Sequence, residues 1–263
     1  MRLIALEYHD VVADGAWDSS GFRGRAAATY KLSADRFRQH LDALQRASTA
    51  IVNDVGLTRI DATSSSSRVL LTFDDGGSGY LNYAADELES RGWRGHVFMT
   101  TGFIGQPGFL TSAELRDLDR RGHVIGSHSR THPMPLSSLP PGNIAQEWAA
   151  SLGDLQDILG KAVHVASVPG GFHSTLVAEL AAASGIRTLF TSEPVSRGTT
   201  VSECRILGRY TLRRGDDGAY VARLVGSPPF ARANQWCRWN AKKVLKNVAG
   251  GYYQRVRERI LGS

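Results

Sequence analysis

The sequence predicts an α/β domain of mainly parallel strands, curled into a single barrel-like unit. Three observations carry that expectation. Short apolar runs alternate with amphipathic stretches along the chain. Runs such as Val69-Leu70-Leu71-Thr72-Phe73 are apolar with no period of two, the pattern of a strand buried on both faces. The stretch 1–230, before a basic tail, suits one barrel better than two domains.

The elements follow in order. Arg2 to Tyr8 reads as the first strand. Ser33 is a helix N-cap, with Phe37, Leu41 and Leu44 at helical spacing behind it. The serine run 64–67 marks a surface loop, and 69–73 is the next strand. A helix over 80–91 ends at Gly92, whose freedom at positive φ makes it a stop signal. Further strands are predicted at 95–100, 123–127, 163–168, 187–191 and 205–212. Helices are predicted at 112–121, 143–159, 174–184 and 219–226. No fixed-period repeat interrupts the alternation.

Composition excludes several classes. Of the 263 residues, 42% are hydrophobic and 21% charged, which is globular rather than disordered or collagen-like. No apolar run approaches the roughly 18–20 residues of a membrane-spanning helix. The apolar start Leu3 to Leu6 is shorter than the core of a secretory signal, and Cys204 and Cys237 form no Cys-x-x-Cys frame. Both features predict a cytoplasmic setting. The net charge is +6, yet residues 231–263 hold eight Lys or Arg against one acid, so the body is slightly acidic. Trp236, Trp239, Tyr252 and Tyr253 are interleaved with those charges, a composition suited to anionic lipid or to a solvated helix packed on the body. No nucleic-acid-binding module accompanies it, so nucleic acid is not an expected partner.

Chemistry gathers at strand ends. Thr72-Phe73-Asp74-Asp75-Gly76-Gly77 places two carboxylates directly after an apolar strand, where parallel α/β folds build their functional crevices. The same residues would also make a solvated Asp-Gly turn. Gly126-Ser127-His128-Ser129-Arg130-Thr131-His132-Pro133 follows another strand, and its histidines stand four positions apart, as for two imidazoles on one cation. Alone it is equally a polar loop. Together the segments supply a carboxylate and two imidazoles with a spare carboxylate beside them, the donor set of a catalytic divalent site with a position left open for water.

Thr-Phe-Asp-Asp-Gly at 72–76 and His-Ser-Arg-Thr-His at 128–132 resemble the first two motifs of the polysaccharide deacetylase family, also called carbohydrate esterase family 4 or the chitooligosaccharide-deacetylase homology domain. The resemblance covers roughly 1–215 and includes Glu7-Tyr8-His9-Asp10 on the first strand. It implies a distorted (β/α) barrel, which with the charge pattern divides the chain into a catalytic domain over 1–230 and a basic, aromatic-containing helical extension over 231–263. It also implies one divalent metal, usually zinc, with cobalt or nickel as alternatives. Carried over by position, Asp74 matches the general base, and Asp75, His128 and His132 match the metal ligands.

The later motifs depart from the family. The third usually runs Arg-x-Pro-x-Gly, its arginine orienting the base. Here the stretch is Ser167-Val168-Pro169-Gly170-Gly171, with Ser167 in the arginine's place. Pro169, Gly170, Gly171 and the nearby His173 are the expected substrate-groove residues. The fifth motif usually carries a histidine as general acid, but 206–212 contains none. His173, His9 or Arg209 are the candidate replacements. Each has a plainer alternative: a groove-lining residue, a core histidine and a surface charge.

The expected function is therefore a metal-dependent hydrolase removing N-acetyl groups from an N-acetylated sugar or glycan, at or near the inner membrane face. Two alternatives stay open: an O-acetyl esterase on the same site, and a non-catalytic glycan-binding protein on a degenerate deacetylase fold.

Overall fold

A computed structural model describes residues 2–56, 67–172 and 174–241. The chain begins with β1 (Arg2–Tyr8), β2 (Asp10–Val12), a short α1 (Arg25–Ala28), β3 (Lys31–Ser33), α2 (Ala34–Arg46), β4 (Ala50–Ile51) and β5 (Ser67–Phe73). A π-helical turn, Tyr80–Ala85, runs into α3 (Asp86–Glu89). Next come β6 (His96–Met99), α4 (Ser112–Arg120), β7 (Val124–Ser127), α5 (Pro141–Leu159), β8 (Val165–Ser167), α6 (Thr175–Ala183) and β9 (Thr188–Phe190). The chain continues through β10 (Thr199–Val201), β11 (Cys204–Leu207), β12 (Arg209–Thr211) and α7 (Gly218–Val225), and residues 230–241 are again helical. Among the described residues, no helix is long and apolar enough to cross a membrane.

The main sheet runs β10-β11-β9-β8-β7-β6-β5-β1-β12, with β4 also beside β5. Every pairing in it is parallel except β10 with β11. Alternate residues of β1 and β5 feed two different cores, as expected of strands covered on both faces. Ile4, Leu6, Val69 and Leu71 pack toward the helices. Leu3, Ala5 and Leu70 instead join Phe98 of β6, Val165 of β8, Phe190 of β9 and Leu207 of β11. Strands distant in the sheet order meet in that second cluster, so the sheet curls around it and the cluster fills the barrel interior.

The predicted strand over 205–212 is two strands. Gly208 divides them: β11 pairs with β9 and β12 pairs with β1. A side chain at Gly208 would place its Cβ 2.2 Å from the Glu193 carbonyl oxygen, so only glycine passes that point. This brings opposite sides of the strand order within one residue of each other, although no β11–β12 ladder closes the circle among the described residues. The continuous apolar character of the segment concealed the break. The predicted helix over 80–91 likewise opens as a π turn before continuing as α, and it ends at Glu89, short of Gly92, which takes φ +71° in the turn that follows.

Local signals act as the sequence predicts elsewhere. The Ser33 hydroxyl accepts from Arg36 N, and Phe37, Leu41 and Leu44 are buried on one side of α2. Thr111 and Glu114 form a reciprocal cap on α4. The parallel register places Tyr8 beside Phe73, Met99 beside Ser127, and Ser127 beside Ala166. The residues just beyond these strand ends converge on one mouth of the barrel.

Candidate active site

Asp74 and Asp75 leave β5 at that mouth. Asp74 N donates to the Tyr8 carbonyl at 3.0 Å, extending the β1–β5 pairing by one step. The backbone then turns sharply, with φ +73° at Asp75 and +85° at Gly76. Glycine is required at position 76, because a Cβ there would lie 2.0 Å from Met99 Sδ. The histidine segment begins beside it, where His128 N donates to the Met99 carbonyl at 2.8 Å. Its strained points are Ser129 and His132, at φ +62° and +60°. His132 N donates to Ser129 Oγ at 3.1 Å. Glu147 of α5 holds the rest of the loop, its Oε2 accepting from Arg130 N at 2.9 Å and Thr131 N at 2.8 Å.

This folding brings Asp75, His128 and His132 together. Nε2 of His128 lies 3.6 Å from Asp75 Oδ1, and Nε2 of His132 lies 3.5 Å from the same oxygen. Donors bound at about 2.0–2.1 Å around one tetrahedral ion lie roughly 3.3–3.5 Å apart, so this set fits a divalent cation. The tautomers fit too. His128 Nδ1 faces the Ser167 carbonyl at 2.9 Å, which only accepts, so the proton sits on Nδ1 and Nε2 offers its lone pair. Burial pushes both imidazoles down to about 4, against the pull of the Asp74 charge, so they are neutral and able to ligate at neutral pH. Burial raises the Asp75 carboxyl.

Asp74 is buried beside this cluster and is gripped by Arg209. Nη1 donates to Oδ1 at 2.6 Å and Nη2 to Oδ2 at 2.8 Å, an end-on, two-pronged fork. Burial alone would raise the Asp74 carboxyl, but the Arg209 charge and its hydrogen bonds hold it well below the ordinary carboxylate range. Arg209 also donates to Glu7 Oε1 at 2.7 Å and to Ser167 Oγ at 2.7 Å. Burial lowers the guanidinium, yet Asp74 and Glu7 outweigh it and lift Arg209 above its usual range. Arg209 is thus neither a surface charge nor a proton donor. Ser167, in the place of the family's motif arginine, donates to Asp74 Oδ2 at 3.1 Å.

His9 follows β1 at the same mouth and is half-buried. Its ring stacks on Tyr30, with centroids 4.7 Å apart. One ring nitrogen lies within 4.8 Å of carboxylate oxygens of Glu7 and Asp74, while Nδ1 is buried without a hydrogen-bond partner. Both Glu7 oxygens are already engaged, by Arg209, Ser192 and Thr211, so Glu7, His9 and Asp74 do not form a second cation site. Pro169–Gly171 makes a short 3₁₀ turn after β8, with Gly170 and Gly171 at φ +69° and +71°. Gly171 presses so closely on Ser192 that a Cβ would sit 1.9 Å from its hydroxyl. His173 lies outside the described residues. Phe172 stacks on Trp239 of the 230–241 helix at 5.0 Å, which places that part of the tail against the turn. Residues 242–263 lie outside the described residues.

The roles of several participants carried no sequence signal. Glu7 sits inside an apolar strand, and Glu147 inside an unremarkable helix. Lys31 is buried and donates to the carbonyls of Trp17, Ser20 and Phe22 at 2.6, 2.6 and 2.5 Å. That clamp sets the Phe22 ring 4.9 Å from the His132 ring, where it walls the ligand.

Comparison with known proteins agrees with this architecture. The sequence model of the polysaccharide deacetylase family matches residues 61–189, a span that holds Asp74, Asp75, His128 and His132. YxkH of Bacillus subtilis (strain 168), itself assigned as a polysaccharide deacetylase, is 27% identical over 154 residues, or 59% of this chain and 53% of that protein. The match thus spans about half the length of that relative. The deacetylase PplD of Streptococcus pyogenes, solved in complex with acetate, superposes with a TM-score of 0.71 at 17% identity, covering 86% of this chain and 99% of that one. IcaB from Ammonifex degensii gives 0.66 at 22% identity, covering 89% and 97%. These likenesses establish a shared fold. Over residues 61–189 the chain is similar to the polysaccharide deacetylase family.

Proposed function

We propose that this protein is a metal-dependent N-deacetylase acting on an N-acetylated sugar or glycan. One observation carries the reading: Asp75, His128 and His132 turn a carboxylate oxygen and two neutral imidazole nitrogens toward one point, with an ionised Asp74 at its edge. A divalent ion held by those three residues supplies Lewis acidity at the acetamide carbonyl. Zinc suits the donors best, and cobalt or nickel would also fit.

The chain's own groups do the rest. Asp74, kept ionised by Arg209, takes the proton of the attacking water. His9 has a ring nitrogen within 4.8 Å of an Asp74 carboxylate oxygen, and in this reading it protonates the departing amine. Acetate and a free amino sugar are the products. Pro169, Gly170 and Gly171 form the groove wall, where the glycines let backbone approach the sugar. The arginine and histidine missing from the later motifs favoured a degenerate binding protein; Arg209 on the base answers the first of these and supports catalysis.

The basic segment 231–263 is proposed to rest on anionic lipid, holding the enzyme at the cytoplasmic face of the membrane. Deleting it should reduce co-sedimentation with phosphatidylglycerol vesicles, and unchanged binding would remove this part of the proposal. The central test is acetate release from N-acetylglucosamine oligomers by the zinc-loaded protein. Release that is lost in Asp74→Asn supports the reading, and full activity in that variant refutes it.

A further inference from the structure

We infer that Arg209 is a positioning residue for the base, delivered from β12 in place of the arginine that the family's third motif carries at the position of Ser167. The inference rests on the deacetylase reading and adds to it which residue aims Asp74 and why Ser167 is small.

β8 and β12 lie far apart in the sheet order, yet their side chains enter one volume. Nη2 of Arg209 is 2.7 Å from Ser167 Oγ, and both groups reach Asp74 Oδ2, at 2.8 and 3.1 Å. Ser167 is fully buried, so a long side chain there would occupy the space the Arg209 guanidinium now fills. One long and one short residue therefore share the site, and the long one has changed strands.

The remaining contacts lock the guanidinium. Nη1 also reaches Thr72 Oγ1 at 3.2 Å, and Nε reaches the Thr191 carbonyl at 3.2 Å. Its carbon lies 5.7 Å from the Phe98 ring centroid and 5.9 Å from that of Phe190, at the top of the barrel interior. Glu7 shares Nη2 with Asp74 and adds a second negative charge to the cation, with Ser192 fixing the Glu7 carboxylate at 2.6 Å. A planar fork held from so many directions leaves the Asp74 carboxylate one orientation. A lysine would hold the charge but not the plane.

The test compares wild type, R209K, R209S and the exchange R209S/S167R, each zinc-loaded, on N-acetylglucosamine oligomers. For R209K, kcat is expected to fall about 100-fold, as for a reacting group displaced by an ångström, with KM within about threefold and zinc content unchanged. The exchange should recover at least about tenfold over R209S. The inference is overturned if R209K keeps kcat within about threefold of wild type, or if the exchange folds and binds zinc yet recovers nothing. It is equally overturned if neither R209K nor the exchange folds, because the guanidinium then serves only to hold the barrel. Should wild type itself release no acetate, the deacetylase reading fails separately. The exchange is then read from Tm, which must fall in R209S and return in R209S/S167R for the shared site to stand.

Discussion

The ring of His128 is tied through Nδ1 to the carbonyl of Ser167, 2.9 Å away across the β7–β8 boundary. That bond orients the imidazole and fixes its tautomer before any cation arrives, so the ligand set is preorganised. Replacing His128 with Gln, or Asp75 with Ala, removes a donor outright. Zinc affinity should fall by more than the roughly 10- to 100-fold typical of losing an outer partner. Competition against a chromophoric chelator measures it, and a variant that retains wild-type affinity would place the ion elsewhere.

Glu147 is such an outer partner. It accepts from two consecutive backbone N–H groups between the histidines and from Thr131 Oγ1 at 2.7 Å. His132 depends on this loop, because its own backbone is held at positive φ. Glu147→Ala should weaken zinc by roughly 10- to 100-fold while leaving the fold intact, and excess zinc should restore most of the activity. Glu147→Gln, which keeps an acceptor, should lose less. Equal zinc affinity in all three proteins would mean that the loop holds itself.

What was legible in the sequence was local. Val69 to Phe73 announces a parallel strand because both its faces are buried, and the carboxylates after it must then emerge at the strand's end. Two histidines four apart suit a shared cation, and they point to one only when read together with the paired carboxylates. Arg209 was not legible in this way. It stands 135 residues from Asp74, and the two meet only because Gly208 carries the chain across the mouth of the barrel. Glu7 was hidden for a related reason: its partners Arg209, Ser192 and Thr211 all come from the far end of the chain. Spacing reports groups on one turn, whereas long-range closure must be seen in the fold.

The role of His9 separates amides from esters. An amine leaves only with a proton, whereas p-nitrophenolate leaves without one. His9→Gln should therefore cost roughly 10²- to 10⁴-fold in kcat on N-acetylated sugar, the usual contribution of a general acid. The same variant should hydrolyse p-nitrophenyl acetate at close to the wild-type rate. Equal losses on both substrates would show that His9 shapes the site rather than donating a proton. A wild type that turns over acetylated sugar hydroxyls but not the matched amides would instead favour the O-acetyl esterase.

Acid should destabilise the protein through histidines remote from the site. His96 is fully buried, with Nε2 accepting from Val55 N at 3.1 Å, and burial holds its pKa down to about 4. His40 is also buried, and burial depresses it likewise to about 4. An unfolded histidine titrates near 6.5, so between those values the unfolded chain binds more protons than the native one. The stability these neutral rings contribute is complete above pH 6.5 and drains away as pH falls toward 4, by roughly 3 kcal/mol for each ring. Below about pH 4 the loss levels off, because both states are then protonated. His96→Gln keeps an acceptor for Val55 N but cannot be protonated in this range, so its stability should decline less steeply. Urea titrations of both proteins at pH 7 and pH 5 measure the difference directly, and subtraction removes the shared contributions of His40, His128 and His132. Parallel declines in the two proteins would show that His96 is not a source of the acid sensitivity.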